Sequence, residues 1–283
     1  MQSKNPKISV LTPIYNTDPK HLREMVESIL AQTFTDFEFL ILNDSPDNQE
    51  IESIVLEYAT HDDRIKYFKN DKNIGITLSR NKLLKMATGE YVAIFDHDDI
   101  SVPTRLSKQI EYLDSHPDVG VVSGWLEYFG NKNDILKTPE HDTDIKIKLC
   151  ENCCVAHTAS MIRKSLLVDN DIYYEGFYSP SEDYRLWTRL ADVTHFYNIQ
   201  EVLVKYRTSV EQTSVRQQSL MNVAHRMIYL DFRDKHPGLY DAFKKDNHHT
   251  NFRLNLFAIP LLKIKHNKIY LFSFLPIIKI KWE

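Results

Sequence analysis

The stretch Tyr91-Val92-Ala93-Ile94-Phe95-Asp96-His97-Asp98-Asp99 decides how this chain of 283 residues folds. Its first five residues are apolar and favour β-structure, and such a run is typical of a buried strand. Because carboxylates do not enter a core without partners, the strand must end where the aspartates begin. The acids therefore lie at the carboxyl end of the strand, which is the edge where ligands bind in open α/β sheets.

Two of these acids, Asp96 and Asp98, are two positions apart. In an extended chain they point to the same side of the sheet. Two converging carboxylates suit a hard divalent cation such as Mn²⁺ or Mg²⁺. The alternative is an acidic turn that caps the next helix, and the cluster alone does not decide between the two.

The chain before the acidic cluster alternates short apolar runs with helical stripes, and it predicts an α/β fold. Strands are predicted for residues 8–12, 37–42 and 65–68, and helices for residues 19–31, 51–58 and 78–87. The first strand is expected to stop at Pro13. This order implies a mostly parallel, Rossmann-like sheet flanked by helices. Tyr15-Asn16, Asn43-Asp44 and the acidic cluster follow three of the strands, so a cleft is expected at their shared edge.

Beyond residue 100 the pattern changes. Strands are predicted for residues 119–129, 156–162, 195–199 and 202–206, and a longer helix for residues 214–234. Ser181 is expected to cap a helix that begins with Glu182-Asp183. We expect one α/β domain over residues 1–212 and a helical, amphipathic extension over residues 213–283.

The last thirty residues repeat an apolar pattern interrupted by lysines, since residues 256–265 return in residues 271–281. This pattern favours contact of residues 254–283 with an anionic membrane surface. The alternative is a lysine-edged hairpin or helix packed on the catalytic domain. No apolar run reaches the length of a membrane span, and the polar start is unlike a secretory signal. We therefore expect a cytoplasmic protein at the inner face of the cell membrane.

Composition and motifs argue against nucleic acid and zinc as partners, and they do not show which residues would bind phosphate. The net charge of −4 gives no argument for nucleic acid. Cys150, Cys153 and Cys154 lie close to His157, but no second ligand pair has zinc-like spacing, so we expect three reduced thiols. A glycine-rich dinucleotide loop and a P-loop are both missing. Arg80 or a metal on the aspartates is then the available counter-charge for phosphate.

These residues together resemble the family 2 glycosyltransferases, which have a GT-A fold and use nucleotide-activated sugars. The resemblance covers about residues 7–210, and six short motifs occur in the family's order and spacing. These motifs are Ser9–Asn16, Ile41–Ser45, Asn73–Gly75 leading to Ser79–Asn81, Thr88–Tyr91, Asp96–Asp99, and Ser181–Asp183 with Trp187 and Arg189. The resemblance implies a metal-dependent, inverting hexosyltransferase. Its donor would be a UDP-sugar, and its acceptor a hydroxyl of a glycan or glycolipid in cell-surface polysaccharide or lipopolysaccharide synthesis.

The resemblance also assigns roles to individual residues. Those expected to bind the donor nucleotide are Thr12, Pro13, Tyr15, Asp44, Gly75, Arg80, Asp96 and His97. Asp98, with Asp96, would bind Mn²⁺ or Mg²⁺. Those expected near the donor sugar or the acceptor are Gly124, Trp125, His157 and Glu182. Asp44 would accept from a uracil N–H, although capping the next helix is its alternative role.

Asp183 is the implied catalytic base, which takes the proton of the acceptor hydroxyl. A direct displacement of this kind inverts the anomeric configuration. An acid in the first turn of a helix is stabilised as the anion, which weakens it as a base, and a purely helix-stabilising role is the alternative. Many relatives carry a histidine after the Tyr-Arg that ends the domain, whereas Ser209 stands here. The remaining metal ligands therefore stay open, with His97 and His157 as substitutes.

Two other functions fit parts of the same pattern. A nucleotidyltransferase can share an α/β sheet and aspartate-bound Mg²⁺, although this chain lacks a basic glycine-rich loop near its N-terminus. A non-catalytic module that binds nucleotide sugars needs no base. The sequence leaves the sugar, the acceptor, the linkage and the oligomeric state undetermined.

Overall fold

The computed structural model describes residues 5–209 and 216–246, with two further short strands, Leu262–Lys265 and Lys268–Leu271. The chain divides into two compact units, Met1–Lys245 and Asp246–Glu283. In the second unit the two strands pair antiparallel. The rest of the predicted membrane-contacting tail, and the predicted domain boundary at residues 212 and 213, lie outside the described residues. Within the described part of the chain, no helix is long and apolar enough to cross a membrane.

The first part of the chain alternates strands and helices in the predicted order. The elements are β1 (Ile8–Ile14), α1 (Pro19–Leu30), β2 (Phe37–Asn43), α2 (Gln49–Ala59), β3 (Ile65–Lys69), α3 (Ile76–Met86) and β4 (Tyr91–Ile94). β1 pairs in parallel with both β2 and β4, and β2 pairs in parallel with β3. The predicted parallel sheet is therefore confirmed for this part of the chain.

The expected end of β1 at Pro13 is wrong, because the strand continues to Ile14. Pairing between β1 and β4 ends at Leu11 and Ile94, whereas pairing with β2 continues to the end of β1. Pro13 thus lies where the strand has lost one neighbour, and a missing N–H is tolerated at such a position.

Local chemistry explains where the first helices begin. Pro19 is the first residue of α1, and the carboxylate of Asp18 accepts hydrogen bonds from the backbone N–H groups of Lys20 and His21. α3 follows Gly75, whose φ of 85° lies in the left-handed region that glycine adopts without strain.

The later elements complete the sheet. They are β5 (Ile100–Ser101), α4 (Arg105–Ser115), β6 (Val119–Gly130), β7 (Asp134–Leu136), α5 (Asp142–Leu149), β8 (Met161–Arg163), α6 (Lys164–Asp169), α7 (Glu182–Leu190), β9 (His195–Thr208), α8 (Gln218–Lys235) and α9 (Pro237–Asp246). The strand order is β3-β2-β1-β4-β8-β6-β9-β5, with β7 paired to β6. β8 is antiparallel to β4 and β6, so it joins the parallel part to the rest of a mixed sheet.

Two predicted strands differ from those observed. The run from Ala156 to Ile162 is not one strand, because His157–Ala159 forms a 3-10 helix and only Met161–Arg163 pairs in the sheet. The turn brings the hydroxyl of Thr158 to the backbone N–H of Asp96, 3.1 Å away. The two strands predicted over residues 195–206 are a single strand, β9, whose pairing with β6 is irregular near Gly124 and Trp125.

The sheet is covered on both faces. The apolar sides of α1, α2 and α4 fill one core, which includes Met25, Ile54 and Leu113. The helices α3, α5, α6, α7 and α8 fill the other core. Ile228 and Phe232 of α8 are buried in that second core, so the helical segment after residue 216 is part of the first compact unit.

Candidate active site

The carboxyl ends of β1, β2 and β4 meet at one edge of the sheet, as the sequence predicted. The backbone N–H of Asn16, after β1, donates to the Ser45 hydroxyl after β2 at 3.1 Å. The Thr17 hydroxyl lies 3.0 Å from Nδ1 of His97, which follows β4. Three strand ends that are distant in sequence thus form one continuous polar edge.

Asp44 holds the loop that precedes α3. Its carboxylate accepts hydrogen bonds from the N–H groups of Ile74 and Gly75, both at 2.9 Å, and from the side chain of Asn70 at 2.7 Å. Asp44 is buried, and Oδ2 receives only one of these three bonds. A carboxylate oxygen can accept a second donor, so Oδ2 keeps capacity for a ligand. The alternative role of Asp44, as a cap of the next helix, is wrong, because Asn48 caps α2.

The β1 side of the edge presents one large exposed side chain. Thr12 is fully buried, and its hydroxyl donates to the backbone oxygen of Phe95 at 2.9 Å. Tyr15, by contrast, is 50% exposed. Thr12 therefore links the end of β1 to the end of β4 inside the protein, whereas the Tyr15 ring is accessible to a ligand.

Arg80 connects two acids from opposite sides of the edge. Its guanidinium donates to Asp96 at 3.0 Å and to Glu182 at 2.8 Å, and its side chain is only 13% exposed. Burial acts to lower the pKa of Arg80, but the charges of Asp96 and Glu182 outweigh it and raise the pKa above its ordinary value. Arg80 is therefore a permanent cation between the end of β4 and the start of α7, not a surface arginine.

Among the described residues, Asp96 is the aspartate of the acidic cluster with the most ion-pair partners. Besides Arg80, it faces His157, whose Nδ1 lies 3.7 Å from Oδ1. Burial acts to raise the pKa of Asp96, but His157 and Arg80 lower it well below its usual range. On its other side, Nε2 of His157 lies 2.9 Å from the hydroxyl of the buried Tyr174. His157 therefore contacts Asp96 directly, whereas its predicted contact with the donor sugar or the acceptor stays a prediction.

Asp98 and Asp99 have contrasting environments. Asp99 is fully buried and accepts a hydrogen bond from the backbone N–H of Arg207 at 2.9 Å. Asp98 is half-buried, and no side chain among the described residues forms a hydrogen bond or ion pair with its carboxylate. Burial raises the pKa of Asp98; the charge of His97 opposes the rise, the charge of Asp96 adds to it, and the charge of Arg207 also opposes it. A desolvated carboxylate that forms no ion pair with a described residue fits a role as ligand to a divalent ion.

A complete protein cage for a metal is absent from the described residues. No group of three or more His, Cys, Asp or Glu side chains in that part of the chain could hold an ion. Mn²⁺ or Mg²⁺ bound through one or two carboxylates requires further oxygen ligands, and substrate phosphates commonly supply them. The residues present fit a metal that binds together with a diphosphate.

Asp183 lies in the first turn of α7, partly exposed, beside the buried Glu182. Its Oδ1 accepts from the neighbouring Tyr184 N–H at 2.7 Å. The predicted position of Ser181 before this helix is confirmed, but the predicted capping bond is not formed, because the buried Ser181 hydroxyl has no hydrogen-bond partner. Since Arg80 joins Glu182 to Asp96, the start of α7 is held at the acidic edge.

Gly124 and Trp125 are placed differently from the acids. A Cβ on Gly124 would meet the Leu203 side chain at 2.6 Å, so this glycine allows close packing of β6 on β9. Lys137 lies over the Trp125 ring, with Nζ 4.9 Å from the ring centroid. Among the described contacts, neither residue shares a hydrogen bond, ion pair or ring contact with Asp96, Asp98 or Asp183. Their predicted contact with the sugar or the acceptor stays a prediction.

Sequence reasoning missed three residues that shape the site: Thr158, Tyr174 and Arg207. Thr158 lies in the run that the pattern predicts as a strand, and Tyr174 in a segment without a recognisable pattern, so no local signal marks either as a site residue. Arg207 had a signal, because it belongs to the Tyr-Arg pair near the end of the predicted domain. Its Nε donates to the backbone oxygen of Asp98 at 2.8 Å, which makes it part of the acidic loop's support.

A mixed α/β sheet with acids at the carboxyl ends of its parallel strands belongs to the class of α/β proteins that bind ligands at this edge of the sheet. Residues 9–170 match glycosyl transferase family 2, and the chain belongs to this family. It is a nucleotide-sugar-dependent glycosyltransferase.

Relatives and solved structures agree with this assignment. An uncharacterized glycosyltransferase of Methanocaldococcus jannaschii is 37% identical over 207 residues, which are 71% of each chain. The amylovoran biosynthesis glycosyltransferase AmsE of Erwinia amylovora is 30% identical over 213 residues, 74% of this chain and 79% of AmsE.

Two solved structures have the same fold. S. aureus TarS 1–349 in complex with UDP-GlcNAc superimposes with a TM-score of 0.62 at 19% identity, covering 88% of this chain and 76% of TarS 1–349. The mannosyltransferase PcManGT from Pyrobaculum calidifontis, in complex with GDP-Man and Mn²⁺, gives 0.62 at 16% identity, covering 86% and 70%. These likenesses confirm the predicted GT-A fold.

Proposed function

We propose that this protein is an inverting glycosyltransferase that moves a hexose from a UDP-sugar to a hydroxyl of a glycan or glycolipid in cell-surface polysaccharide synthesis. The observation that carries the proposal is the Arg80 bridge between Asp96 and Glu182. Through this bridge the start of α7, with Asp183, lies next to the strand edge that would bind the donor. Donor edge and general base are the two parts that a direct glycosyl transfer needs.

On the donor side, the nucleoside would contact Tyr15, Asp44 and Gly75, with Thr12 and Pro13 forming the strand end beneath it. The exposed Tyr15 ring offers a stacking surface, and Asp44 Oδ2 offers an acceptor for a base N–H. Arg80, Asp96 and His97 would lie toward the ribose and the diphosphate. The UDP-GlcNAc bound to TarS supports a UDP-sugar as the donor.

For the metal, Asp98 and Asp96 would hold Mn²⁺ or Mg²⁺ together with the donor diphosphate. Such a cation stabilises the negative charge that develops on the leaving nucleotide. Arg80 contributes a second, fixed positive charge at the same edge. The Mn²⁺ in the PcManGT complex supports this assignment.

At the acceptor, Asp183 would take the hydroxyl proton while the acceptor oxygen attacks the anomeric carbon. The bond from that carbon to the nucleotide oxygen breaks on the opposite side, so the configuration inverts. Arg80 neutralises the adjacent Glu182, which leaves Asp183 as the acid of this pair that has no ion-pair partner among the described residues. The amylovoran enzyme supports a polysaccharide acceptor, and the lysine-punctuated tail supports work at the inner membrane face.

Release of UDP from UDP-sugars, with Mn²⁺ and a membrane or glycan acceptor fraction, tests the proposal. We expect wild-type activity to be lost in Asp183→Asn and strongly reduced in Asp98→Asn. Asp118→Asn is the matched control, because Asp118 is an exposed acid paired with His195. Release of pyrophosphate instead of UDP would indicate nucleotidyl transfer, and UDP binding without any turnover would indicate a non-catalytic module.

A further inference from the structure

Arg207 forms hydrogen bonds with the acidic loop, Asp96–Asp99, although the two are far apart in sequence. Arg207, near the end of β9, is 109 residues from Asp98 in sequence, yet its Nε donates to the backbone oxygen of Asp98 at 2.8 Å. The backbone N–H of Arg207 donates to Asp99 Oδ1 at 2.9 Å. One residue therefore holds both Asp98 and Asp99, through its side chain and its main chain.

The Arg207 guanidinium is itself fixed. Its Nη2 donates to Glu24 of α1 at 2.6 Å, and its Cζ lies 4.5 Å from the centre of the Phe129 ring. The side chain is only 15% exposed. Because the planar guanidinium has donors at defined angles, a fixed Arg207 defines the orientation of the peptide that follows Asp98.

The orientation of that peptide matters for the Asp98 side chain. The rotamers that a side chain can adopt depend on the φ and ψ of its residue, so a held peptide at Asp98 restricts where its carboxylate points. Three aspartates in four residues also repel one another, which favours their separation unless the backbone is held. Arg207 holds the backbone at Asp98 and Asp99, whereas Arg80 pairs with the side chain of Asp96.

We propose that Arg207 is a positioning residue that aims the Asp98 carboxylate at the divalent cation. The inference rests on the proposed metal-dependent function. It differs from a merely structural ion pair, because it predicts an effect on metal binding that exceeds any effect on nucleotide binding. Removal of a group that orients a metal ligand typically weakens metal affinity about 10- to 100-fold.

The test is Mn²⁺ binding to the full chain, measured by the loss of the free-ion electron paramagnetic resonance signal with UDP present. Arg207→Gln removes the charge and the Nε donor. Arg207→Lys keeps the charge beside Glu24 but has no donor in the place of Nε. We expect both variants to bind Mn²⁺ about 10- to 100-fold more weakly than wild type, with metal-free UDP affinity unchanged.

Arg23→Gln is the matched control, because Arg23 also pairs with a glutamate, Glu57, and also lies over an aromatic ring, but on the surface. We expect it to bind Mn²⁺ as wild type does. Circular dichroism melting checks that each variant is folded, and the Lys variant decides if the Gln variant does not fold. Wild-type Mn²⁺ affinity in a folded Arg207 variant, or an equal loss in the control, would overturn the inference. If wild type itself binds no Mn²⁺ in the presence of UDP, the proposed metal dependence is refuted. This outcome differs from one in which wild type binds Mn²⁺ and the Arg207 variants bind it equally well, which refutes only the role of Arg207.

Discussion

Replacing Arg80 with methionine should cost this protein a large part of its stability. The substitution keeps most of the side-chain volume but removes the cation between Asp96 and Glu182. Glu182 then becomes a carboxylate that is 5% exposed and has lost its partner. Asp96 is 25% exposed and keeps His157 nearby, so it contributes less to the loss.

The magnitude follows from this burial. Removing one partner of a buried ion pair costs about 3–5 kcal/mol, because the other charge stays buried without compensation. Replacing both partners by apolar groups is often nearly neutral. Arg80→Met should therefore lower the free energy of unfolding by about 3–5 kcal/mol, and the double variant with Glu182→Met should recover at least about 2 kcal/mol of it.

Urea unfolding followed by circular dichroism measures both values. Arg23→Met is the control, since its pair with Glu57 is 40% and 55% exposed and should be worth about 0–1 kcal/mol. A loss for Arg80→Met as small as that of the control would refute the reasoning. So would a double variant that is less stable than Arg80→Met alone.

Three further predictions concern other parts of the molecule. Burial raises the pKa of Cys150 to about 11 and of Cys154 to about 12. Both thiols should therefore react slowly with Ellman's reagent at neutral pH and rapidly after unfolding. Fast reaction in the folded protein would contradict this. Because these values lie above the ordinary 9.0, the stability they provide is present below pH 9 and is lost as the pH rises through 11. Gly89→Ala should lower the free energy of unfolding in urea by about 1–3 kcal/mol, because its Cβ would lie 2.7 Å from the β1 backbone. Gly238→Ala is the control and should cost nothing, because its Cβ meets open space. Equal losses in the two variants would refute the packing argument. Burial raises the pKa of Asp98, so protons should displace Mn²⁺ at a higher pH than from an exposed aspartate, and an apparent Mn²⁺ affinity that is constant from neutral to mildly acidic pH would contradict this.

The parallel part of the fold could be predicted because its signals are local. Strand and helix periods alternate clearly up to Ile94, and parallel strands must place their ends at one edge. The predicted strand end at Pro13 is wrong because a proline ends a strand only where its missing N–H would face a neighbouring strand, and β4 pairs with β1 only as far as Leu11. The strand predicted for residues 156–162 is wrong for another reason: a short apolar run does not distinguish a strand from a tight helical turn.

The candidate site was only partly predictable. The acids Asp96 and Asp98 follow a strand, so their place could be inferred from the chain order alone. The partners of these acids could not, because Arg80 and Glu182 are 102 residues apart and no local pattern records their contact. The support from Arg207 spans a similar distance and depends on how β9 returns to the sheet.

The central claim is that this edge of the sheet transfers a sugar from a nucleotide donor with Asp183 as the base. Phosphorus nuclear magnetic resonance of a reaction with a UDP-sugar, Mn²⁺ and an acceptor fraction tests it most directly. We predict that the UDP signal grows with wild-type protein, that no pyrophosphate forms, and that Asp183→Asn yields neither product while still binding UDP. UDP formation by Asp183→Asn at the wild-type rate, or pyrophosphate as the product, would contradict the account.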